Sequence, residues 1–346
     1  MQNIRNWKRF ETIVQPALSL APTTYLDDIR SQLSADEIPS AVAEHDTPWL
    51  FGWLIGVSQF QGISDANAAA FAAKHGVVGW DDVMTALKAG PTCPRLRSYW
   101  SFDGCRYRKA ACTCAEPQHL GACPLTTHPT RKGALIVAAY ALALFVRDIC
   151  DNDLVAWFDR RLAEADGGPD APDRAVAMSR ALVAPLSEIS GIGKKVWSMA
   201  LADLLLAADP DRERWVTSGA AMIVVDSLLH NHLHRTGTLR RFRAEHPYGP
   251  RCYAPGGCAD LIRGLANRVD ARAFNPTFPA CFPRFVQFAM WRLCSASELD
   301  LCNGNRIDDR QRCANAACPI FPRCDRVVLC PSGTGSGILR LPAWPE

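Results

Sequence analysis

Two glycines one residue apart, Gly191 and Gly193, restrict this chain more than any other feature. They lie in Ile189-Ser190-Gly191-Ile192-Gly193-Lys194-Lys195, between an apolar helix end at Pro185 and a helix whose spacing carries it to Ala208. Lacking Cβ atoms, the two glycines make a tight turn that allows close backbone approach. The second helix begins there, so its first N–H groups point outward, where a phosphate suits them. Lys194 and Lys195 add positive charge. Downstream, the apolar run 220–225 delivers Asp226 to the start of a further helix. The stretch 185–237 therefore joins a phosphate-binding turn, two lysines and one carboxylate.

With 346 residues the chain can form one large or two modest domains around a sizeable core. A net charge of +3 is too small to mark a general nucleic-acid binder, so any basic surface is local. The opening residues lack the basic-then-apolar order of a signal peptide. The longest apolar run, 134–146, is too short for a bilayer and fits a buried helix. The expectation is a soluble protein of the cytoplasm, associated with the nucleoid if it binds DNA, with no membrane partner.

Every strong periodic signal is helical, so the fold class is all-α. Residues 1–45 read as one or two helices, with Pro16, Pro22 and Pro39 as breaks. A largely apolar helix starts at Thr47 and ends in Ser58 and Gln59, and an alanine-rich helix runs from Asp65 to His75, with Gly76 as its stop. Helices resume from Arg131 to Ala165, and a polar loop at 166–173 precedes the helix leading to Pro185. A last apolar helix spans 282–293. The tail 331–346 is rich in Gly, Ser and Pro.

Fifteen cysteines fall mainly into two groups, and without a secretion signal such thiols favour metal ligation over disulfides. The insertion 91–130 carries Cys93, Cys105, Cys112, Cys114 and Cys123, with His119 and His128 nearby. A loop of that length needs something to tie it down, and four thiolates on zinc or an iron-sulfur cluster would do so. Cys105, Cys112, Cys114 and Cys123 are the candidate ligands of this second metal site, against the plainer reading of a cysteine-rich loop. Arginines and aromatic residues interleave in the same segment, which suits either nucleic acid or solvated charge. The second group, Cys294 to Cys330, contains the short gaps Cys313-x4-Cys318-x5-Cys324. These would let a loop wrap a metal centre whose fourth ligand comes from upstream.

Several of these residues resemble the helix-hairpin-helix DNA glycosylases of the endonuclease III type. The turn 189–195 is similar to that family's Leu-Pro-Gly-Val-Gly-Arg-Lys, and Val225-Asp226-Ser227 to its Val-Asp-Thr. Arg235 and Gly237 stand where the family has Arg and Gly, and the helix end before Gln59 is similar to its Leu-Leu-Ser-Ala-Gln. The resemblance covers roughly 45–90 and 180–330. It departs from the family at Leu228 and Asn231, and in the spacing of the cysteines.

The resemblance implies a two-lobed helix-hairpin-helix glycosylase-like fold with cysteine-rich metal-binding loops. Residues 1–45 would pack with the C-terminal lobe, 46–237 would form a helical barrel domain interrupted by the 91–130 insertion, and 238–330 would form the lobe bearing an iron-sulfur loop. It implies a monomeric base-excision enzyme on duplex DNA with Asp226 and Lys195 as catalytic residues. Asp226 would stabilise the cationic sugar, and Lys195 would attack the anomeric carbon and support strand cleavage by a lyase step. Gly191, Gly193, Lys194 and Arg235 would contact DNA, and Gln59 would fill the gap left by a flipped nucleotide. A 4Fe-4S cluster would sit on Cys302, Cys313, Cys318 and Cys324, with Cys294 as the alternative to Cys302. Read alone, Asp226 equally fits a helix N-cap, Lys195 a phosphate contact and Gln59 a surface residue. The other class of reading is a catalytically silent protein that binds damaged or modified DNA.

Overall fold

The computed structural model describes residues 2–60, 65–91, 93–108, 110–111, 113–127 and 134–329. The chain divides into two compact units: one combines residues up to 26 with those from 220 onward, and the other spans 27–219. The division differs from the expected boundaries at both ends. Residues 27–45 belong with the helices that follow them, and Asp226 belongs with the C-terminal residues rather than with the glycine turn.

In the unit 27–219, helix Ala134–Ile149 is the most deeply buried element, and every residue from Leu135 to Val146 is at most 5% exposed. A helix apolar on all sides has to be enclosed, and Thr47–Val57, Trp80–Lys88 and Tyr99–Phe102 pack around it. Phe145 meets Tyr99 and Trp157 edge-on, each at 5.2 Å between ring centres. Helix Leu154–Ala165 packs along Arg174–Ser187, and the loop between them is fastened by Asp166, which accepts hydrogen bonds from Arg174 and Arg214. Arg174–Ser187 in turn packs on Lys194–Ala207 across the glycine turn.

Of the N-terminal proline breaks, Pro22 lies between helices Gln2–Ser19 and Tyr25–Ala35 and Pro39 marks the break after Ala35, whereas Pro16 needs correction. Pro16 lies inside helix Gln2–Ser19, close to its end, and Pro39 falls at the start of helix Ile38–Ala43, where its missing N–H costs nothing. The insertion is built of short pieces, among them the antiparallel pair Tyr107–Arg108 and Thr113–Cys114, a small exception to the helical rule.

In the other unit, helix Gln2–Ser19 buries Phe10, Ile13, Val14, Ala17 and Leu18, the one-face spacing of an amphipathic helix. That face meets helices Pro283–Arg292, Cys258–Ala266 and Thr238–Arg241. Aromatic rings fill the seams: Trp7 lies 4.6 Å from Phe242, and Tyr25 stacks on Phe288 at 4.5 Å. Pro283–Arg292 also packs against Ser227–Arg235, the helix that positions most of the chemistry described next. No helix among the described residues is long and apolar enough to cross a membrane.

Candidate functional site

Helix Ser227–Arg235 reads Ser-Leu-Leu-His-Asn-His-Leu-His-Arg. Successive residues turn about 100° around a helix, so His230 and His232 face nearly opposite sides. Both are buried. His230 groups with His246, Cys252 and Cys258, and His232 groups with Cys294 and Cys302; either group could hold a metal ion. Cys252 and Cys258 share a hydrogen bond that pushes the Cys252 thiol down and the Cys258 thiol up.

Around His232 the environment is unusual. The imidazole is fully buried and engages the Cys302 sulfur, with no well-aligned hydrogen bond at either ring nitrogen among the described residues. A buried polar group left in that state is costly unless something else engages it. Cys294 hydrogen-bonds to Cys302, which drives the Cys302 thiol well below its ordinary value against the opposing effect of burial. His232 and Arg235 push Cys302 the same way, while Cys294 is driven well up.

Cys318 and Cys324 lie close enough to Cys302 and Cys313 for the charges of those two thiols to act on them. Burial pushes both Cys318 and Cys324 up to about 11. Of the expected ligands, Cys302 groups closely with Cys294 and His232, while Cys318 and Cys324 lie within electrostatic reach of Cys302 and Cys313.

One local pattern recurs through these thiols. Cys313 accepts from the Asn315 N–H at 3.4 Å, Cys324 from the Arg326 N–H at 3.4 Å, and Cys318 from the Ile320 N–H. In the insertion Cys114 accepts from the Glu116 N–H at 3.4 Å, Cys105 from Tyr107 and Cys123 from Leu125. A neutral thiol is a weak acceptor, so a repeated N–H two residues on, aimed at sulfur, suits thiolate or metal-bound sulfur. Within the insertion Cys105, Cys114 and Cys123 act electrostatically on one another or on Cys93, which is buried. Cys93 is the member that spacing alone passed over. Cys112, expected in its place, lies outside the described residues.

Arg235, expected to contact DNA, is only 3% exposed. It pairs with Asp309 and donates to the Cys302 carbonyl at 3.4 Å and toward its Sγ at 3.5 Å. Burial opposes its charge, but Cys302, Asp309 and Cys294 outweigh that and raise its pKa. A guanidinium so enclosed serves the cysteine group and not the surface.

Asp226 caps helix Ser227–Arg235. Its Oδ1 accepts from the Leu229 N–H at 2.8 Å and its Oδ2 from Trp291 Nε1–H at 3.0 Å, and the residue is half-buried. Gln59 is 6% exposed, with no hydrogen-bond partner for its Oε1 among the described residues, so the side chain is not presented at the surface.

At the glycine turn, Gly191 adopts φ +97°, a left-handed conformation that a side chain would strain. Ile189 and Ile192 are buried beneath it, while Gly193, Lys194 and Lys195 are exposed. Gly193 starts helix Lys194–Ala207 without a side-chain cap. The chain matches no protein-family model, no curated protein and no solved structure.

Proposed function

We propose that this protein is a DNA glycosylase that removes a damaged or modified base from duplex DNA, with Lys195 adding a lyase step. The observation that carries the reading is the glycine turn. It exposes Gly193, Lys194 and Lys195 together at an uncapped helix start while Ile189 and Ile192 anchor it from below. Such an arrangement receives a backbone phosphate and adds two charges beside it. In the proposed reaction the Asp226 carboxylate offsets positive charge on the sugar as the bond to the base breaks. The base leaves with the electron pair of that bond and takes up a proton. The Lys195 amine lone pair forms a new bond to the anomeric carbon and the nitrogen gives up a proton. The bond from that carbon to the ring oxygen then breaks, and the oxygen takes up a proton. The resulting protonated imine lets a C2′ proton leave as the C3′–oxygen bond breaks and the 3′ phosphate departs. Asp226 keeps acceptor capacity for this role, because each oxygen uses only one of its two lone pairs on Leu229 or Trp291.

We assign a four-iron cluster to Cys302, Cys313, Cys318 and Cys324, with Cys294 and His232 alongside, and a second cluster or a zinc ion to Cys93, Cys105, Cys114 and Cys123. The recurring N–H to sulfur bonds support both assignments. These groups would hold their loops in place, and no step of the reaction passes through them.

A second reading, a silent protein binding damaged or modified DNA, is favoured by one observation: capping alone is a sufficient reason for Asp226 to be where it is. Base release from duplexes carrying oxidised, deaminated and alkylated bases separates the two. The glycosylase releases at least one of them and, with borohydride, leaves a covalent adduct that Lys195→Gln abolishes. Binding without release from any of these duplexes supports the silent reading.

A further inference from the structure

We infer that His230, His246, Cys252 and Cys258 form a tetrahedral zinc site, separate from the thiols around Cys302. All four residues are buried, and their donor atoms lie within 4.8 Å of one another. His230 Nδ1 is 3.4 Å from Cys258 Sγ and 3.6 Å from Cys252 Sγ, and His246 Nε2 is 3.5 Å from Cys258 Sγ. With zinc-sulfur bonds of about 2.3 Å and zinc-nitrogen bonds of about 2.0–2.1 Å, a tetrahedron has nitrogen-sulfur edges of about 3.5 Å. Three of the six edges already have that length, and the other three lie within 4.8 Å.

The surroundings complete the argument. His246 Nδ1 lies 2.6 Å from the Ala244 carbonyl, so that nitrogen carries the proton and donates it. The lone pair is left on Nε2, the nitrogen beside Cys258. A ring oriented by a backbone carbonyl in this way is the usual outer partner of a metal-bound histidine. Cys258 is the first residue of helix Cys258–Ala266, which holds its sulfur in a fixed place beside the two imidazoles. The preceding turn leaves no room for a side chain at Gly257, since a Cβ there would come within 2.2 Å of the Arg251 carbonyl. Two thiolates and two neutral imidazoles cancel the charge of one divalent ion, which suits an interior position. Two sulfurs and two nitrogens at this spacing select zinc. A four-iron cluster places iron and sulfide between its thiolates and needs them farther apart.

The site is a structural one, because all four corners are occupied by protein. It would fasten the loop carrying His246 and Cys252 to the helix that Asp226 caps. The test is zinc analysis and zinc-edge X-ray absorption on the full purified chain. The expected result is zinc bound by sulfur at about 2.3 Å and by imidazole nitrogen at about 2.0 Å. One equivalent should be lost in Cys258→Ser and kept in Cys281→Ser, which alters an exposed thiol. Absence of zinc, a shell of sulfur alone, or zinc content that Cys258→Ser does not lower overturns the assignment. Where Cys258→Ser fails to fold, the absorption spectrum of the unaltered chain decides by its nitrogen shell.

Discussion

His230 and His232 stand two positions apart on one helix and serve different groups of cysteines, Cys252 and Cys258 for the first and Cys294 and Cys302 for the second. The helix, Ser227–Arg235, has nine residues. Isolated helices shorter than about 12–15 residues are marginal in water, so this one depends on what grips its two sides. Removing the metal proposed at His230 should therefore loosen the whole helix, Asp226 included. Hydrogen exchange is the direct measurement. A strong zinc chelator should speed exchange of the amides of 229–235 and lower Tm, whereas unchanged protection would mean that packing alone holds the helix.

Arg235 separates a structural role from a DNA-binding one. Breaking a buried ion pair by removing one partner costs about 3–5 kcal/mol, because the remaining charge is left enclosed. Arg235→Ala strands Asp309 and withdraws a donor from Cys302. A large fall in Tm is expected. DNA affinity, measured below the new Tm, should keep its salt dependence, whereas a phosphate contact would behave in the opposite way.

Asp226 can be probed by two substitutions that diverge. Asparagine caps helices about as well as aspartate, while alanine at a cap costs about 0.5–2 kcal/mol. Asp226→Asn keeps an acceptor for the Leu229 N–H, so it should retain most of the stability that Asp226→Ala loses. If the carboxylate is catalytic, both variants lose base release by about a hundredfold or more, the scale for such groups. Asp226→Asn with full activity would leave the residue only its capping role.

The helices were legible because apolar spacing reports a buried face directly. Asp65–His75 begins and ends where its sequence pattern does, with Gly76 at φ +72° as the stop. The groups that could hold metal were only half legible. Cys313, Cys318 and Cys324 are close in sequence and stay close in space. By contrast, the His230 group draws on a helix, a loop, a short 3-10 turn and the start of another helix. Its signal was four histidines and two cysteines between 230 and 258, but no fixed spacing marks the four that group. Arg235 misled for a related reason: family position suggested the surface, while burial is decided by Asp309 and Cys302, which are distant in sequence.

Asp166 ties the loop before helix Arg174–Ser187, and its carboxyl is held well below the usual carboxylate range, first by Arg174 and then by Arg214 and the Gly168 N–H. A carboxylate whose pKa falls on folding stabilises the folded state fully above its unfolded value, about 3.9 for aspartate. That stabilisation disappears as the pH drops through this value toward the folded one. Urea midpoints measured between about pH 5 and pH 2 should fall less steeply for Asp166→Asn than for the parent chain. Parallel slopes would show that the two arginines do not depend on its charge.

The glycine turn makes the most direct claim about DNA. Each phosphate contact neutralised by a lysine releases counterions, so the logarithm of the affinity falls with the logarithm of salt by about 0.9 per contact. Lys194→Gln with Lys195→Gln should lower that slope by about 1–2 and weaken binding to all duplexes alike, since backbone contacts carry no sequence information. Both lysines are exposed at the start of their helix, so the fold should not suffer, and a Tm within a few degrees of the parent is the control. Lys195→Gln alone should remove the borohydride adduct and Lys194→Gln alone should keep it, which divides the chemistry from the electrostatics. An unaltered salt slope in the double variant would place the DNA-binding surface elsewhere on the chain.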